Sequence, residues 1–331
     1  MIMVHLGILL PRNKKQKIQL PEKIERLCQE KNIKITELSI DSDNGIKEGC
    51  FDVLLHKVTD YYNEFTAEEA DIRIKKFREY ILKYPKMIVI DDIEGCIKMT
   101  DRKYQTQILK ACEITLDGIK VFVPKIIEIP VNTGVKDAEI LLTENGVKFP
   151  VIAKPITASL ADGSHQMMLI FSKASIKDLP VPCLVQEFRK HGGVVYKVYV
   201  IGEHFYMCER PSIKDIDNSS KTTLIFDTRN VSKTGKAYIP DLHVADPNLR
   251  EWLSCDDCPN MLNRTVVNEL CHIIRCETKL KLFGFDVLIE KDTGNYALID
   301  VNHFPGYKGI NEKYFARDLV ELILHEGTKK P

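Results

Sequence analysis

The chain carries no charge excess: its 331 residues hold 47 Lys plus Arg against 47 Asp plus Glu. A protein that coats polyanions without selectivity is basic overall, so a general nucleic-acid binder is excluded, and any anion site must come from local clustering of cations. No uninterrupted apolar run reaches the length that spans a bilayer, which excludes a transmembrane helix. The opening "MIMVHLGILLP" is apolar, yet it lacks a basic leader and a small-residue cleavage site and stops at Pro11. It is expected to form a first strand rather than a signal peptide, in a soluble, cytoplasmic protein. Internal repeats and low-complexity tracts are missing as well, and the lack of heptads favours a monomer.

Cysteine is not scarce, at ten residues, and without a secretory leader these are expected to be reduced thiols. "CDDC", Cys255 to Cys258, with Cys271 and Cys276 after it, raises the question of a four-thiolate zinc site. Apolar residues at 266, 267, 270, 273, 274 and 280 keep the helical period, however, and place Cys271 on a buried stripe, so zinc is set aside.

With 44% hydrophobic residues the chain can bury a large core, and its length favours two or three subdomains. The first hundred residues alternate strands ("VHLGILL", "IKITELSI", "FDVLLHKV", "KMIVIDD") with helices (about 21 to 31, and "EEADIRIKKFREYILKY"), which predicts a parallel-sheet α/β domain over 1–100. "TDRKYQTQILKACE" reads as a helix capped by Thr100 or Asp101. Beyond it, strands such as "FPVIAKP", "MMLIF", "CLVQEF", "GVVYKVYVIG" and "HFYMCERPS" are mostly joined by turns and predict antiparallel sheets. The polar stretch 214 to 262 is expected to be a substrate-facing loop region or a surface insertion.

"FGFDVLIEKDTGNYALIDVNHFPGY" carries the sharpest chemical signal. Asp300 and Asn302 are two apart on one strand and share a face, while Asp286 lies on the partner strand. Two carboxylates and an amide form an all-oxygen set that suits Mg²⁺ completed by substrate phosphates; otherwise some of them face solvent on a half-exposed strand. Lys154 in "VIAKP" and Lys197 in "VVYKVYV" sit within apolar strands, where each either meets a counter-charge such as phosphate or points to the polar face. Lys14, Lys57 and Arg102 follow strand ends or open a helix, and strand C-termini gather at one edge of a parallel sheet, so they either form one cationic wall there or stay scattered and solvated.

Taken in order, "FDVLLHKVTD", "VIAKP", "GSHQM", "VVYKVYVIGE", "RPS", "NVSK", "LFGFDVLIE" and "IDVNHFPGYKG" resemble the inositol 1,3,4-trisphosphate 5/6-kinases, or inositol-tetrakisphosphate 1-kinases, of the ATP-grasp superfamily, from about residue 4 to about 325. The resemblance implies an ATP-grasp fold, with the N-terminal parallel-sheet domain over 1–100 followed over 101–331 by two antiparallel subdomains, a lid-like one at about 115–190 and a metal-binding one at about 191–325. It implies that Asp286, Asp300 and Asn302 hold two Mg²⁺ ions, and that Arg102, Lys154, Gln186, Glu187, Phe188, Lys197, Ser212, Thr223 and Ser232 bind ATP. Lys14, Lys57, His165, Lys197 and Gly306 would face an inositol polyphosphate, with Lys197, His165 and Asp300 serving catalysis. "SLADGSH" departs from the family by one extra residue before His165. Two other functions remain open at this point: an ATP-grasp carboxylate-amine ligase, and an inositol-phosphate sensor without turnover.

Overall fold

The computed structural model describes residues 3–20, 22–47, 49–156, 166–213, 215, 223–228, 231 and 262–329, with every side chain but that of Lys17. The expectations for the 157–165 loop with His165, for Ser232, and for Cys255 to Cys258 lie outside these residues.

The apolar run Val4–Leu9 (β1) is almost wholly buried, as a strand covered on both faces must be. Helices Arg12–Ile18 (α1) and Glu22–Glu30 (α2) lead to Ile33–Glu37 (β2), parallel to β1. Val53–His56 (β3) pairs with the other edge of β1, and Ala67–Lys83 (α3) crosses over to Ile88–Ile90 (β4), giving a parallel sheet in the order β2-β1-β3-β4. The chain starts α3 at Thr66 through a capping box: the Thr66 hydroxyl accepts from Glu69 N while the Glu69 carboxylate accepts from Thr66 N. Ala70, Ile74 and Phe77, at helical spacing, then bury its inner face. Sequence periodicity signals α3 well but not α1, a single basic stretch of seven residues with little apolar content.

Ile93–Lys98 (α4) and Arg102–Ala111 (α5) follow, and Asp101 caps α5 by accepting from Lys103 N. Next come Thr115–Leu116 (β5), Ile119–Phe122 (β6), Ile126–Ile129 (β7), helix Val135–Glu144 (α6), Val151–Pro155 (β8), Gln166–Ile170 (β9) and Cys183–Glu187 (β10). Val194–Ile201 (β11) and His204–Pro211 (β12) form the expected hairpin about Gly202, and Leu224–Asp227 is β13. Arg264–Thr278 (α7) buries Cys271, as its period predicts; Leu282–Ile289 (β14) and Tyr296–His303 (β15) make the carboxylate hairpin, and Glu312–Gly327 (α8) ends the chain's regular structure.

Two further sheets result: β13-β9-β8-β10-β7, antiparallel throughout, and β12-β11-β14-β15-β6-β5, antiparallel except where β6 runs parallel to β15. The expected divisions at about 115 and 190 therefore do not separate these sheets. β5 and β6 belong with the hairpin, and β13, inside the stretch expected to be loop, completes the five-stranded sheet through pairing with β9. Helix α8 joins the first sheet to the last, its Leu319, Val320 and Ile323 sharing one core with Val4, Leu6 and Val53 on one side and Tyr199 and Ile201 on the other. Among the described residues no helix is long and apolar enough to cross a membrane.

Candidate active site

Asp286 and Asp300 face one another across the β14–β15 pair, with a register shift just after Asp286. Asn302 lies on the same face as Asp300 and donates its Nδ2 to Asp300 Oδ2 at 2.8 Å, which leaves its carbonyl oxygen as the available donor atom for a cation. Lys197, opposite Asp286 on β11, forms an ion pair with Asp286, and Arg102 Nη1 lies 3.7 Å from Asp300 Oδ1. Burial pushes the Asp286 carboxyl above its usual value and the Asp300 charge adds to this, against the pull of Lys197. Burial would depress Lys197, but Asp286, Tyr199 and Asp300 carry it above the ordinary lysine range. Two crowded carboxylates with an amide oxygen beside them are a hard-oxygen set whose repulsion a divalent cation would relieve, so the residues fit magnesium.

Lys154, the last residue but one of β8, is buried, its Nζ donating to Ile299 O at 3.0 Å. Beside it opens a slot with apolar walls from Leu109, Ile126, Leu184 and Ile299. Arg102, Lys154, Gln186 and Asp300 line the same slot and supply its polar groups. Gln186 is 2% exposed, and its Nε2 has no hydrogen-bond partner among the described residues. An unmet buried donor is costly, so this amide is placed for an acceptor that the described residues do not provide. Glu187, one residue on, accepts from Lys148 N at 2.9 Å and from Arg189 Nη2 at 2.7 Å, and Phe188 packs edge-on to His191.

The segment after β15 is held in a strained turn. Phe304 and Tyr307 have φ of 37° and 49°, in the left-handed region that favours glycine, and Gly306 lies between them. Three kinds of contact hold it: Phe304 N donates to Leu282 O at 2.7 Å, Tyr307 Oη to Val200 O at 3.0 Å, and two lysines reach it from the first sheet. Lys14 donates to Phe304 O and to Pro305 O at 2.8 Å, and Lys57 donates to His303 O at 2.7 Å and His303 Nδ1 at 3.2 Å. The predicted cationic wall is thus strung along residues 300 to 305, with Arg102 at Asp300, Lys57 at His303 and Lys14 at Phe304.

Two predicted nucleotide ligands have other commitments. Ser212 Oγ meets His191 Nε2 at 2.9 Å, and Thr223 Oγ1 donates to Asp178 at 2.5 Å. The structure also gathers Asp91, Cys96 and His303, which sequence reasoning missed, around His56 in a buried polar cluster behind Lys57. Their signal in the sequence is slight, an acid or imidazole at the end of an apolar strand. A separate group, His204, Asp318 and Glu321, brings its ligand atoms within 4.8 Å of one another, but Asp318 is already taken up by Tyr206 and Arg317.

The model of the inositol 1,3,4-trisphosphate 5/6-kinase pre-ATP-grasp domain matches residues 6–96, and that of the same family's ATP-grasp domain matches residues 117–325. An inositol-tetrakisphosphate 1-kinase of Danio rerio is 28% identical over 326 residues, covering 96% of this chain and 78% of its own length. Inositol-tetrakisphosphate 1-kinase 1 of Arabidopsis thaliana is 29% identical over 91% of this chain and 89% of its own. Among solved structures, D-alanyl-alanine synthetase A of Vibrio cholerae aligns with a TM-score of 0.56 at 11% identity, covering 99% of both chains, a likeness of ATP-grasp fold alone. Two consecutive domain matches, the first over the parallel sheet and the second over the carboxylate hairpin, show that the chain belongs to the inositol 1,3,4-trisphosphate 5/6-kinase family.

Proposed function

We propose that the protein is a magnesium-dependent kinase that moves the γ-phosphate of ATP to a hydroxyl of a soluble inositol polyphosphate. On this reading the acceptors are inositol 1,3,4-trisphosphate at position 5 or 6 and inositol 3,4,5,6-tetrakisphosphate at position 1, with ADP-dependent return of phosphate between isomers. One observation carries the reading: the acid pair Asp286 and Asp300 sits between a slot lined by Lys154 and Arg102 and a cation row with Lys57 and Lys14.

Asp286, Asp300 and Asn302 would hold the metal, two ions in our reading, which when bound neutralises phosphate charge during transfer. The protein groups do the rest by position. The walls of the slot take the nucleobase, with Gln186 Nε2 offering it a donor, and Lys154 with Arg102 fixes the phosphate chain. Lys197, already bonded to Asp286, stands where the two anionic substrates meet and stabilises the charge between them. Lys14 and Lys57 exchange the carbonyls of 303–305 for acceptor phosphates. Phosphoryl transfer needs mainly alignment and charge stabilisation, so this set suffices without a protein nucleophile. A carboxylate-amine ligase would have less use for the row of acceptor-side lysines, and a sensor would have none for two crowded, half-buried carboxylates. Residues 1–100 would supply Lys14 and Lys57 to the acceptor, and 101–331 the nucleotide side together with the 303–307 turn, in a cytoplasmic monomer.

The test is ion-exchange analysis of products after pure protein meets Mg-ATP and a panel of inositol phosphates that includes both acceptors. A product with one more phosphate is expected. Asp300→Asn should lower kcat by about a thousandfold or more while inositol-phosphate affinity stays within about threefold. A wild type that modifies no isomer, or a variant near normal activity, would overturn the reading.

A further inference from the structure

Asp91 is 1% exposed and ends the run after β4, far along the chain from the carboxylate hairpin, yet it contacts the hairpin at both strands. Its carboxylate accepts from Lys281 N at 2.7 Å and from Leu282 N at 3.0 Å, the residues that open β14. Its Oδ2 also lies 3.5 Å from Nε2 of His303, the last residue of β15. Its carbonyl oxygen meets His56 Nε2 at 2.6 Å, and His56 immediately precedes Lys57.

The proton positions in this cluster follow from the contacts. His56 Nδ1 accepts from Val58 N at 3.4 Å, so its Nε2 carries the hydrogen donated to Asp91 O. His303 Nδ1 accepts from the Lys57 ammonium, so its Nε2 carries the hydrogen that faces Asp91 Oδ2 and, at 3.3 Å, Cys96 Sγ. A continuous chain therefore runs from Lys57 through His303 to Asp91 and back through His56, the last residue of β3, to Lys57. A buried carboxylate is expensive unless hydrogen-bonded, and apolar residues could have filled this junction at less cost. Its place between the first sheet and both hairpin strands gives it a geometric use.

We propose that Asp91 is a positioning residue that sets the separation between the acceptor-side lysine Lys57 and the carboxylates of the hairpin. It does not touch the reacting groups: Asp286 lies four residues up β14 from Leu282, about 13 Å at strand rise. It acts by tying one end of each hairpin strand to the end of β3, so that an acceptor held by Lys57 is presented at the correct reach from the phosphate held over Asp286 and Asp300. This inference rests on the kinase reading above.

The experiment compares wild type, Asp91→Asn, His56→Gln and the double variant, with Mg-ATP and the acceptor the wild type uses. Asp91→Asn keeps the shape but turns a donor or a single acceptor towards two N–H groups, and should lower acceptor kcat about 10- to 100-fold. ATP affinity by calorimetry, and slow ATP hydrolysis without acceptor, should stay within about twofold because the nucleotide side is undisturbed. His56→Gln should give the same split, and the double variant should lose little more than the worse single one, since both act on one linkage. If Asp91→Asn does not fold, His56→Gln decides alone. ATP affinity and acceptor turnover falling together would reduce Asp91 to a general structural role and overturn the proposal, as would unchanged acceptor turnover. A wild type inactive on every isomer would instead bring down the kinase reading and the inference with it, an outcome distinct from the other two.

Discussion

Lys154 is charged in a place that resists charge. Burial pulls its pKa from the lysine value of 10.5 down to about 8; Asp300 opposes the fall, Arg102 adds to it and Asp286 opposes it again. A nucleotide phosphate beside the ammonium favours the protonated form, so the complex keeps this proton to a higher pH than the free protein does. ATP affinity should therefore be level below about pH 8 and fall about tenfold per pH unit above it, with about one proton taken up on binding there. Calorimetry in buffers of different ionisation enthalpy reads that proton directly, and Lys154→Met should lose both the uptake and the inflection. A wild-type affinity that stays level well above pH 8 would remove Lys154 from the phosphates. Stability carries the matching sign. Because the folded pKa lies below the unfolded one, the unfolded chain binds more protons between about 8 and 10.5, and stability rises with pH through that window.

The β14–β15 hairpin owes its shape to a missing side chain. Gly284 pairs with Asn302, and a Cβ there would stand 2.8 Å from Val198 O, 3.1 Å from Pro305 Cγ and 3.2 Å from Tyr199 Cδ1. The closest of these is backbone of β11, which cannot swing aside, so Gly284→Ala must push β14 away from β11 or displace the 303–307 turn. A cost of about 1–3 kcal/mol is expected, read as a lower urea midpoint, together with weakened acceptor binding as Pro305 shifts. An alanine variant with wild-type midpoint and kinetics would show that the hairpin yields there without consequence. The hairpin is legible in sequence because its two acids and amide interrupt apolar runs at period two, and Lys154 and Lys197 are legible as cations inside strands. What those lysines face is not, since a strand pattern is equally satisfied by either side of a sheet; only the pairing of β11 with β14 places Lys197 at Asp286. Asp91 is less legible still, because its partners are backbone N–H groups of Lys281 and Leu282, and backbone donors leave no trace in residue type. The exchange of β6 and β13 between sheets escapes for a related reason: pairing across long sequence separations is decided by tertiary packing, not by local pattern.

A net charge of zero gives the whole molecule no field to draw two highly charged anions together, so it must deliver cations locally and from different directions. Lys14 comes from helix α1 after the first strand of the parallel sheet and Lys57 from the end of β3, whereas Lys154 belongs to the five-stranded sheet and Lys197 to the six-stranded one. If acceptor and nucleotide are met by separate layers, the kinetic consequences of removing a cation should divide by layer. Lys57→Ala should raise KM for the inositol phosphate about tenfold or more and leave KM for ATP within about twofold, measured with the other substrate saturating. The acceptor term should also lose part of its salt dependence in this variant, because one of the charges that screening weakens has gone. The same substitution deprives His303 Nδ1 and its carbonyl of their shared donor, so some loss of kcat should accompany the KM effect. If both KM values rose equally, Lys57 would be serving the junction between sheets rather than the acceptor, and the division of the two anions between layers would have to be redrawn with Lys14 alone on the acceptor side.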